Sequence, residues 1–102
     1  MSKKNEPDAD PEIDRVIHEP SRLKIMAQLY VVKSADYTFL MKQLGFTWGN
    51  LSSHLTKLEN AGYIKAEKEF VDKKPRTTLH LTEDGRKAFR EYREMMRAVL
   101  DS

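Results

Sequence analysis

The sequence predicts a small, mainly helical α+β domain in which one β-hairpin lies between the last two helices. Apolar residues recur at helical spacing in five stretches, whereas residues 63–71 alternate and residues 77–81 are rich in β-prone side chains. The length of 102 residues is that of one domain. The expected order of elements is α-α-β-α-α-β-β-α, with a long C-terminal helix.

Composition and charge exclude several classes of protein. The chain has no cysteine, which excludes disulfides, thiolate nucleophiles and thiolate metal sites. Residues 1–14 carry a net charge of −3 and residues 15–102 a net charge of +5, so a basic body follows an acidic tail, compatible with a polyanionic partner. Residues 1–10 are expected to be disordered. The chain has neither a secretory signal nor a run of about 20 apolar residues, which predicts a cytoplasmic protein without a membrane partner.

The first helix is expected to begin at Asp10 and Pro11 and to end near Glu19, because Pro20 disfavours helix in the residue before it. Its apolar residues stand at helical spacing, namely Ile13, Val16 and Ile17. Pro20 is then expected to open a second helix that runs to about Lys33, followed by a short strand within residues 34–37.

Two short helices with a tight turn between them follow this strand. Thr38 is the expected N-cap of the first, and Gly45 has the position of a left-handed C-terminal cap. Only two residues separate this helix from Thr47, the expected N-cap of the second, which Gly62 terminates. This spacing is typical of a helix-turn-helix.

The hairpin that follows has the position of a wing. Tyr63, Lys65, Glu67 and Glu69 share one parity of its first strand, and Ile64, Ala66, Lys68 and Phe70 share the other. Residues 72–75 are expected to form the turn, and Thr82 is expected to cap the final helix. The predicted division is a winged helix-turn-helix domain at 11–81 and a dimerisation helix at 82–102.

The helix over residues 47–61 is the candidate for reading DNA. Its leucines 51, 55 and 58 lie within about 60° of one another on a helical wheel. The opposite face is small, polar and free of acids, and consists of Gly49, Asn50, Ser53, Thr56, Lys57 and Asn60. Asparagine can bond bidentately to adenine, so we expect Asn50 and Ser53 to contact bases, and Thr47 and Lys57 to contact phosphates. The other interpretation is an ordinary solvated face.

The hairpin tip carries three cations, Lys73, Lys74 and Arg76, which suit phosphates or the minor groove, or else only solubilise the tip. Trp48 lies at the margin of the apolar face, where it either packs or contacts a DNA backbone. The three histidines, at 18, 54 and 80, do not have metal-ligand spacing, so no metal or other cofactor is predicted. The sequence has no nucleophile–base set, no paired carboxylates and no phosphate-binding loop, so it does not indicate an enzyme.

Residues 45–89, GFTWGNLSSHLTKLENAGYIKAEKEFVDKKPRTTLHLTEDGRKAF, and residues 18–29, HEPSRLKIMAQL, resemble the small winged helix-turn-helix regulators related to the MarR and ArsR families. The resemblance implies a homodimer that binds a pseudo-palindromic operator, with residues 47–61 in the major groove and the wing, residues 70–79, on the flanking backbone. Its implied contacts are Thr47, Asn50, Ser52, Ser53, His54, Lys57, Lys74 and Arg76.

The last helix would be roughly 30 Å long, more than a small helical core covers. A second subunit is expected to cover the rest, and the alternative is that the helix folds back fully over its own domain. The expected interface comprises Ile13, Val16, Ile17, Tyr92, Met95, Met96, Val99 and Leu100. The sequence thus predicts a homodimeric regulator of transcription, in the role of a repressor, that binds double-stranded DNA sequence-specifically. The alternative is a winged helix for protein–protein contact, and no effector is assigned.

Overall fold

A computed structural model describes residues 13–101 of the chain. Within this range it has four helices and three strands: α1 (Pro20–Val32), β1 (Ser34–Asp36), α2 (Tyr37–Leu44), α3 (Trp48–Asn60), β2 (Ile64–Val71), β3 (Lys74–Leu81) and α4 (Glu83–Asp101). The predicted fold class, the order of elements from Pro20 onward and the long C-terminal helix are confirmed.

The segment before α1 differs from the prediction of a helix, which is wrong for residues 13–19 because these form turns. The Asp14 carboxylate accepts hydrogen bonds from the backbone N–H groups of Val16, at 2.9 Å, and Ile17, at 3.1 Å. A side chain that bonds nearby amides in this way competes with the helical hydrogen-bond ladder. The expected helix start at Asp10 and Pro11, and the tail over residues 1–10, lie outside the described residues.

Side chains at the helix starts explain most boundaries. Pro20 is the first residue of α1, as predicted, and the Glu19 carboxylate caps it. The N-cap of α2 is Asp36, whose carboxylate accepts from the Phe39 N–H at 2.8 Å, so the prediction of Thr38 is wrong. Gly45 ends α2 in the left-handed conformation, at φ 72°, as the sequence predicts.

The sheet is antiparallel with the order β1-β3-β2. The β2–β3 turn contains only Asp72 and Lys73, at φ 52° and 66°, a two-residue geometry that matches the twist of a hairpin. Pro75 therefore lies in β3 rather than in the predicted turn. Because β1 pairs only with residues 78–80 of β3, the other edge of β3 is open at Pro75, where a missing N–H is tolerated.

The core lies between the helices and one face of the sheet. It contains Ile17, Ile25, Met26, Leu29, Ala35, Leu40, Leu51, Leu55, Leu58, Ile64, Leu79, Leu81, Phe89 and Tyr92. Burial of each large side chain contributes about 1.5–3 kcal/mol to folding. α3 packs on this core through its three leucines, so its opposite face is left to solvent.

The end of α3, both ends of the hairpin and the start of α4 meet at one junction. The Thr82 N–H donates to the Tyr63 carbonyl at 3.0 Å, and the Thr82 hydroxyl donates to the Gly62 carbonyl at 2.6 Å. The same hydroxyl accepts from the Gly85 N–H at 2.9 Å, which confirms Thr82 as the cap of α4. Gly62, at φ 82°, supplies the left-handed backbone that the chain needs to leave α3.

Candidate nucleic-acid interface

The exposed face of α3 is the part of the structure that corresponds to the predicted DNA-reading element. The Thr47 hydroxyl accepts from the Asn50 N–H at 3.1 Å, which confirms Thr47 as the N-cap. Among the predicted contacts on this element, five residues are exposed, namely Thr47, Gly49, Asn50, Ser53 and Lys57. Ser52 and His54 are only partly exposed. The structure therefore brings the five exposed residues to one surface and turns the other two toward its edges.

His54 is held within the protein. The Arg22 guanidinium donates from Nη1 to Nδ1 of His54 at 3.3 Å, and Nε of Arg22 donates to the Val16 carbonyl at 2.6 Å. Glu19 lies 3.8 Å from the same His54 nitrogen. Because a guanidinium can only donate, Nδ1 of His54 is the acceptor, and a neutral ring carries its proton on Nε2. Contact of His54 with a ligand is thus limited to the outer edge of the ring.

A basic concavity flanks the C-terminal end of α3. It has a volume of about 420 Å³ and is lined by Arg15, Val16, Arg22, Lys57, Asn60 and Ala61. Three of these residues are cations, and they come from the turns before α1, from α1 itself and from α3. Sequence reasoning found only Lys57, because the place of Arg15 and Arg22 depends on turns that were expected to be helix.

A second groove flanks the first turn of α3 on the side of the hairpin. Its volume is about 470 Å³, and it is lined by Asp36, Tyr37, Thr38, Trp48, Ala66, Lys68, Arg76 and Thr77. The Trp48 ring packs on Tyr37 with centroids 4.7 Å apart, yet 57% of Trp48 is exposed. Burial, and then the charge of Glu59, raise the pKa of Tyr37, so its hydroxyl is neutral at physiological pH. Trp48 therefore both packs and presents an apolar surface to the groove.

The hairpin cations are placed unequally. Lys73 and Lys74 are exposed at the turn and at the start of β3. Arg76 instead pairs with Asp36, its Nη2 lying 3.2 Å from the carboxylate. Both side chains of this pair are partly exposed, so the pair contributes about 0–1 kcal/mol, and a phosphate could replace the carboxylate at small cost. Lys68, which sequence reasoning did not select, lines the same groove as Trp48 of α3.

The residues expected at a dimer interface fall into two groups. Ile17 and Tyr92 are buried in the core of their own chain, and Ile13, Val16 and Met96 are partly buried against it. The exposed apolar surface lies further along α4, where Met95 is partly exposed and Leu100 is 74% exposed, with Val99 between them at 45%. The structure thus separates the core part of the predicted interface from its distal part.

Polar contacts fasten the segment before α1 to the rest of the domain. The Tyr63 hydroxyl donates to the Asp14 carboxylate, and Nδ1 of His18 lies 2.8 Å from the Tyr92 hydroxyl. Burial, together with the hydrogen bond to Asp14, raises the pKa of Tyr63 to about 12. Burial, and then the charge of Asp14, also raise the pKa of Tyr92. These contacts keep the cationic residues of this segment beside α3.

The sequence profile of the winged helix DNA-binding domain matches residues 21–100, which is most of the chain. The chain belongs to this family. In winged-helix terms, α3 is its recognition helix and the β2–β3 hairpin is its wing. The chain is 33% identical over 78 residues to an uncharacterized protein of Methanocaldococcus jannaschii, a match that covers 76% of this chain and 85% of the relative.

Solved structures agree with this assignment. The transcriptional regulator homologue from Pyrococcus horikoshii OT3 superposes with a TM-score of 0.81 and 33% identity over 86% of this chain and 87% of that one. A putative MarR-family regulator from Porphyromonas gingivalis W83 shares the fold, with a TM-score of 0.68 and 21% identity over 92% and 96% of the two chains. The resemblance to MarR-related winged helices is thereby confirmed. Family and fold are those of transcriptional regulators rather than of enzymes.

Two kinds of feature are absent from residues 13–101. None of their helices is both long and apolar enough to cross a membrane. Their histidine, aspartate and glutamate side chains do not form a group of three that could hold a metal ion.

Proposed function

We propose that this winged helix is a sequence-specific, double-stranded DNA-binding regulator of transcription that acts in the cytoplasm as a homodimer. The observation that carries the proposal is the exposed face of α3. It is small, polar and free of acids; a basic concavity adjoins it on one side, and on the other side lies a groove whose lining includes Lys68 and Arg76. Short side chains allow a helix to lie deep in the major groove, while the flanking cations suit the phosphates at its two walls.

Roles within this surface follow from chemistry and position. We assign Asn50 and Ser53 to base edges because they lie in the first two turns of α3, the part of a recognition helix that usually contacts bases. Lys57, with Arg15 and Arg22 beside it, suits one strand of the backbone. Lys73 and Lys74 suit the backbone next to the wing. Arg76 contacts the same backbone only if a phosphate replaces Asp36 as its ion-pair partner.

The homodimer is proposed from α4. This helix has 19 residues, and Phe89 and Tyr92 are the buried apolar side chains of its first half. Beyond them the apolar stripe becomes exposed, ending with Leu100 at 74%. A second copy related by a two-fold axis would cover this stripe and present two α3 helices to half-sites about 34–36 Å apart. Such a dimer bound at a pseudo-palindromic operator would block transcription, which is the proposed repressor role.

The alternative was a winged helix for protein–protein contact without DNA specificity. Such a use favours acidic or apolar residues on the face of α3 opposite its leucines. That face instead carries Gly49, Asn50, Ser53, Thr56, Lys57 and Asn60. The DNA-binding role is therefore preferred.

Fluorescence anisotropy tests the proposal, with labelled duplex DNA from upstream of the gene and a random duplex at two salt concentrations. Lys57→Ala should reduce the slope of log affinity against log salt by about 0.9 for the phosphate lost. Asn50→Ala should reduce the preference for upstream DNA by about 5–150-fold, the value of one bidentate base contact. Lys87→Ala is the matched control, because Lys87 is an exposed cation on α4 beside Glu83 and Asp84. Weak binding without sequence preference would contradict the proposal.

A further inference from the structure

The β2–β3 hairpin has two chemically different faces. Its register pairs Ile64 with Leu81, Ala66 with Leu79, Lys68 with Thr77 and Phe70 with Pro75, and these four pairs share one face, here called the inner face. The outer face carries Lys65, Glu67, Glu69, Val71, Lys74, Arg76, Thr78 and His80. Both acids of the two strands thus lie on the outer face, and the inner face has a cation but no acid.

The inner face runs from the core out into solvent on the side of α3. At its base Ile64, Leu79 and Leu81 are buried in the core. Further along, Ala66, Lys68 and Thr77 line the groove that Trp48 also lines. At its end Phe70 is 79% exposed, the highest value among the large apolar side chains of residues 13–101. The ring therefore takes no part in the hydrophobic core of its own subunit.

The tip that carries this ring has a tight turn and a proline. The turn at Asp72 and Lys73 has the left-handed backbone at both residues that matches the hairpin twist. Directly opposite Phe70 stands Pro75, whose ring fixes its backbone and leaves a flat apolar surface. Pro75, fixed in this way, loses little conformational freedom when the tip enters a binding site.

The charge near the ring and the length of the strand indicate DNA as the ligand of Phe70. Residues 68–76 carry four cations and two acids, and Lys68 shares the inner face with Phe70, so cations outnumber acids around the aromatic ring. From Ile64, which packs near α3, to Phe70 is six residues, or about 20 Å of extended strand. Half a turn of B-form DNA, which separates a major groove from the next minor groove, is about 17 Å. With α3 in the major groove, the strand is therefore long enough to bring Phe70 to the adjacent minor groove.

We propose that Phe70 is an apolar wedge that enters the minor groove beside a base step, unstacks it in part and bends the duplex toward the major groove. This inference rests on the proposed DNA-binding function and adds to it a residue that reads how easily the DNA deforms. Apolar side chains that act in this way kink DNA by about 20–90°. Flexible steps such as TA and CA would then be preferred under the wing, outside the bases that α3 contacts.

The test measures bending and binding in the same samples. Duplex DNA from upstream of the gene carries a donor and an acceptor dye at its ends, and 2-aminopurine replaces one adenine at successive positions under the wing. Wild-type protein should raise the energy transfer, corresponding to a bend of at least about 20°, and should raise 2-aminopurine fluorescence at one step. Phe70→Ala should bind about tenfold more weakly and lose both signals, while Phe70→Leu should keep most of each.

Two controls separate this effect from others. Val71→Ala alters the neighbouring apolar residue, which lies on the outer face, and should bind and bend DNA like wild type. Lys74→Ala should reduce the salt slope but keep the bend. Since Phe70 is so exposed, its replacement should leave the thermal unfolding midpoint nearly unchanged.

The possible failures are distinguishable. If wild type binds upstream DNA with steep salt dependence while Phe70→Ala keeps its affinity and bend, the wedge is wrong and the DNA-binding function stands. If wild type itself has no preference for upstream DNA, the DNA-binding function fails and the wedge fails with it. If Phe70→Ala leaves the bend intact but lowers the assembly mass in sedimentation, the tip is a protein contact and the wedge is again wrong.

Discussion

Gly85, in the first turn of α4, stands where the structure has no room for a side chain. A Cβ atom built there would lie 2.0 Å from the Tyr63 carbonyl oxygen and 2.9 Å from the Tyr63 carbonyl carbon. The neighbours are backbone atoms and cannot rotate away. Ordinary contact begins at 3.4 Å, so an alanine would force α4 and the start of β2 apart by about 1.4 Å.

The cost of Gly85→Ala can be worked from the bonds at this junction. A movement of that size breaks the hydrogen bond from the Thr82 N–H to the Tyr63 carbonyl and strains the bond from the Thr82 hydroxyl to Gly62, at about 1 kcal/mol each. Repacking the crowded site adds about 1–3 kcal/mol. The better helix propensity of alanine returns up to about 1 kcal/mol. We therefore expect a net loss of about 2–5 kcal/mol, or roughly 8–40 °C in the unfolding temperature.

Urea unfolding followed by circular dichroism, at one fixed protein concentration, is the assay. The matched control is Gly49→Ala on α3, because a Cβ built at Gly49 has no atom within 4 Å. The control should be neutral or stabilised by up to about 1 kcal/mol. A Gly85→Ala protein that is as stable as wild type would refute the reasoning, because it would mean that the junction yields without cost.

Three further predictions concern the stability at alkaline pH, the base of the wing and the end of α4. Because the pKa of Tyr63 is raised to about 12, its contribution to stability is complete below pH 10 and disappears between pH 10 and about 12. Tyr63→Phe should flatten this alkaline part of the curve of stability against pH. In an ultraviolet titration, the same variant should lack one tyrosine that ionises at high pH. Asp36→Ala should lower the free energy of unfolding by about 1 kcal/mol through the lost N-cap of α2, and Arg76→Ala by less, since their ion pair is exposed; equal losses in denaturant titrations would contradict this ranking. Leu100→Glu should turn a dimer into a monomer in sedimentation equilibrium at tens of micromolar without lowering helix content, and an unchanged dimer mass would remove Leu100 from the interface.

Local signals were sufficient for most of the fold. The predictions of Thr47 and Thr82 as N-caps and of Gly45 as a left-handed C-terminal cap are confirmed. They succeed because each of these residues acts on residues close to it in the chain. Two of the errors have a common cause in aspartate side chains. Asp14 bonds the amides of the expected first helix into a turn, and Asp36 caps α2 ahead of the expected Thr38. Periodicity alone does not show which amide a carboxylate will choose.

The candidate site was less predictable, because two of its features depend on contacts between distant residues. The pairing of Arg22 with His54 joins α1 to α3 and removes His54 from the open face, which wheel positions cannot show. Phe70 shares the parity of Ile64 and Ala66, so the pattern alone suggests a core residue. Only the length of the hairpin beyond the core shows that the ring is in solvent.

The junction at Thr82 also determines how the domain can move. Thr82, Gly62, Tyr63 and Gly85 join the end of α3, both strands of the wing and the start of α4 within a few ångströms. Because these hydrogen bonds join α4 directly to α3 and the wing, we expect the three elements to move together. In a pair of such chains, a tilt of a few degrees between the two α4 helices would be transmitted in full to the separation of the two α3 helices. The spacing of the two α3 helices, and so the spacing of the half-sites that they fit, would then be determined by the contact between the two α4 helices.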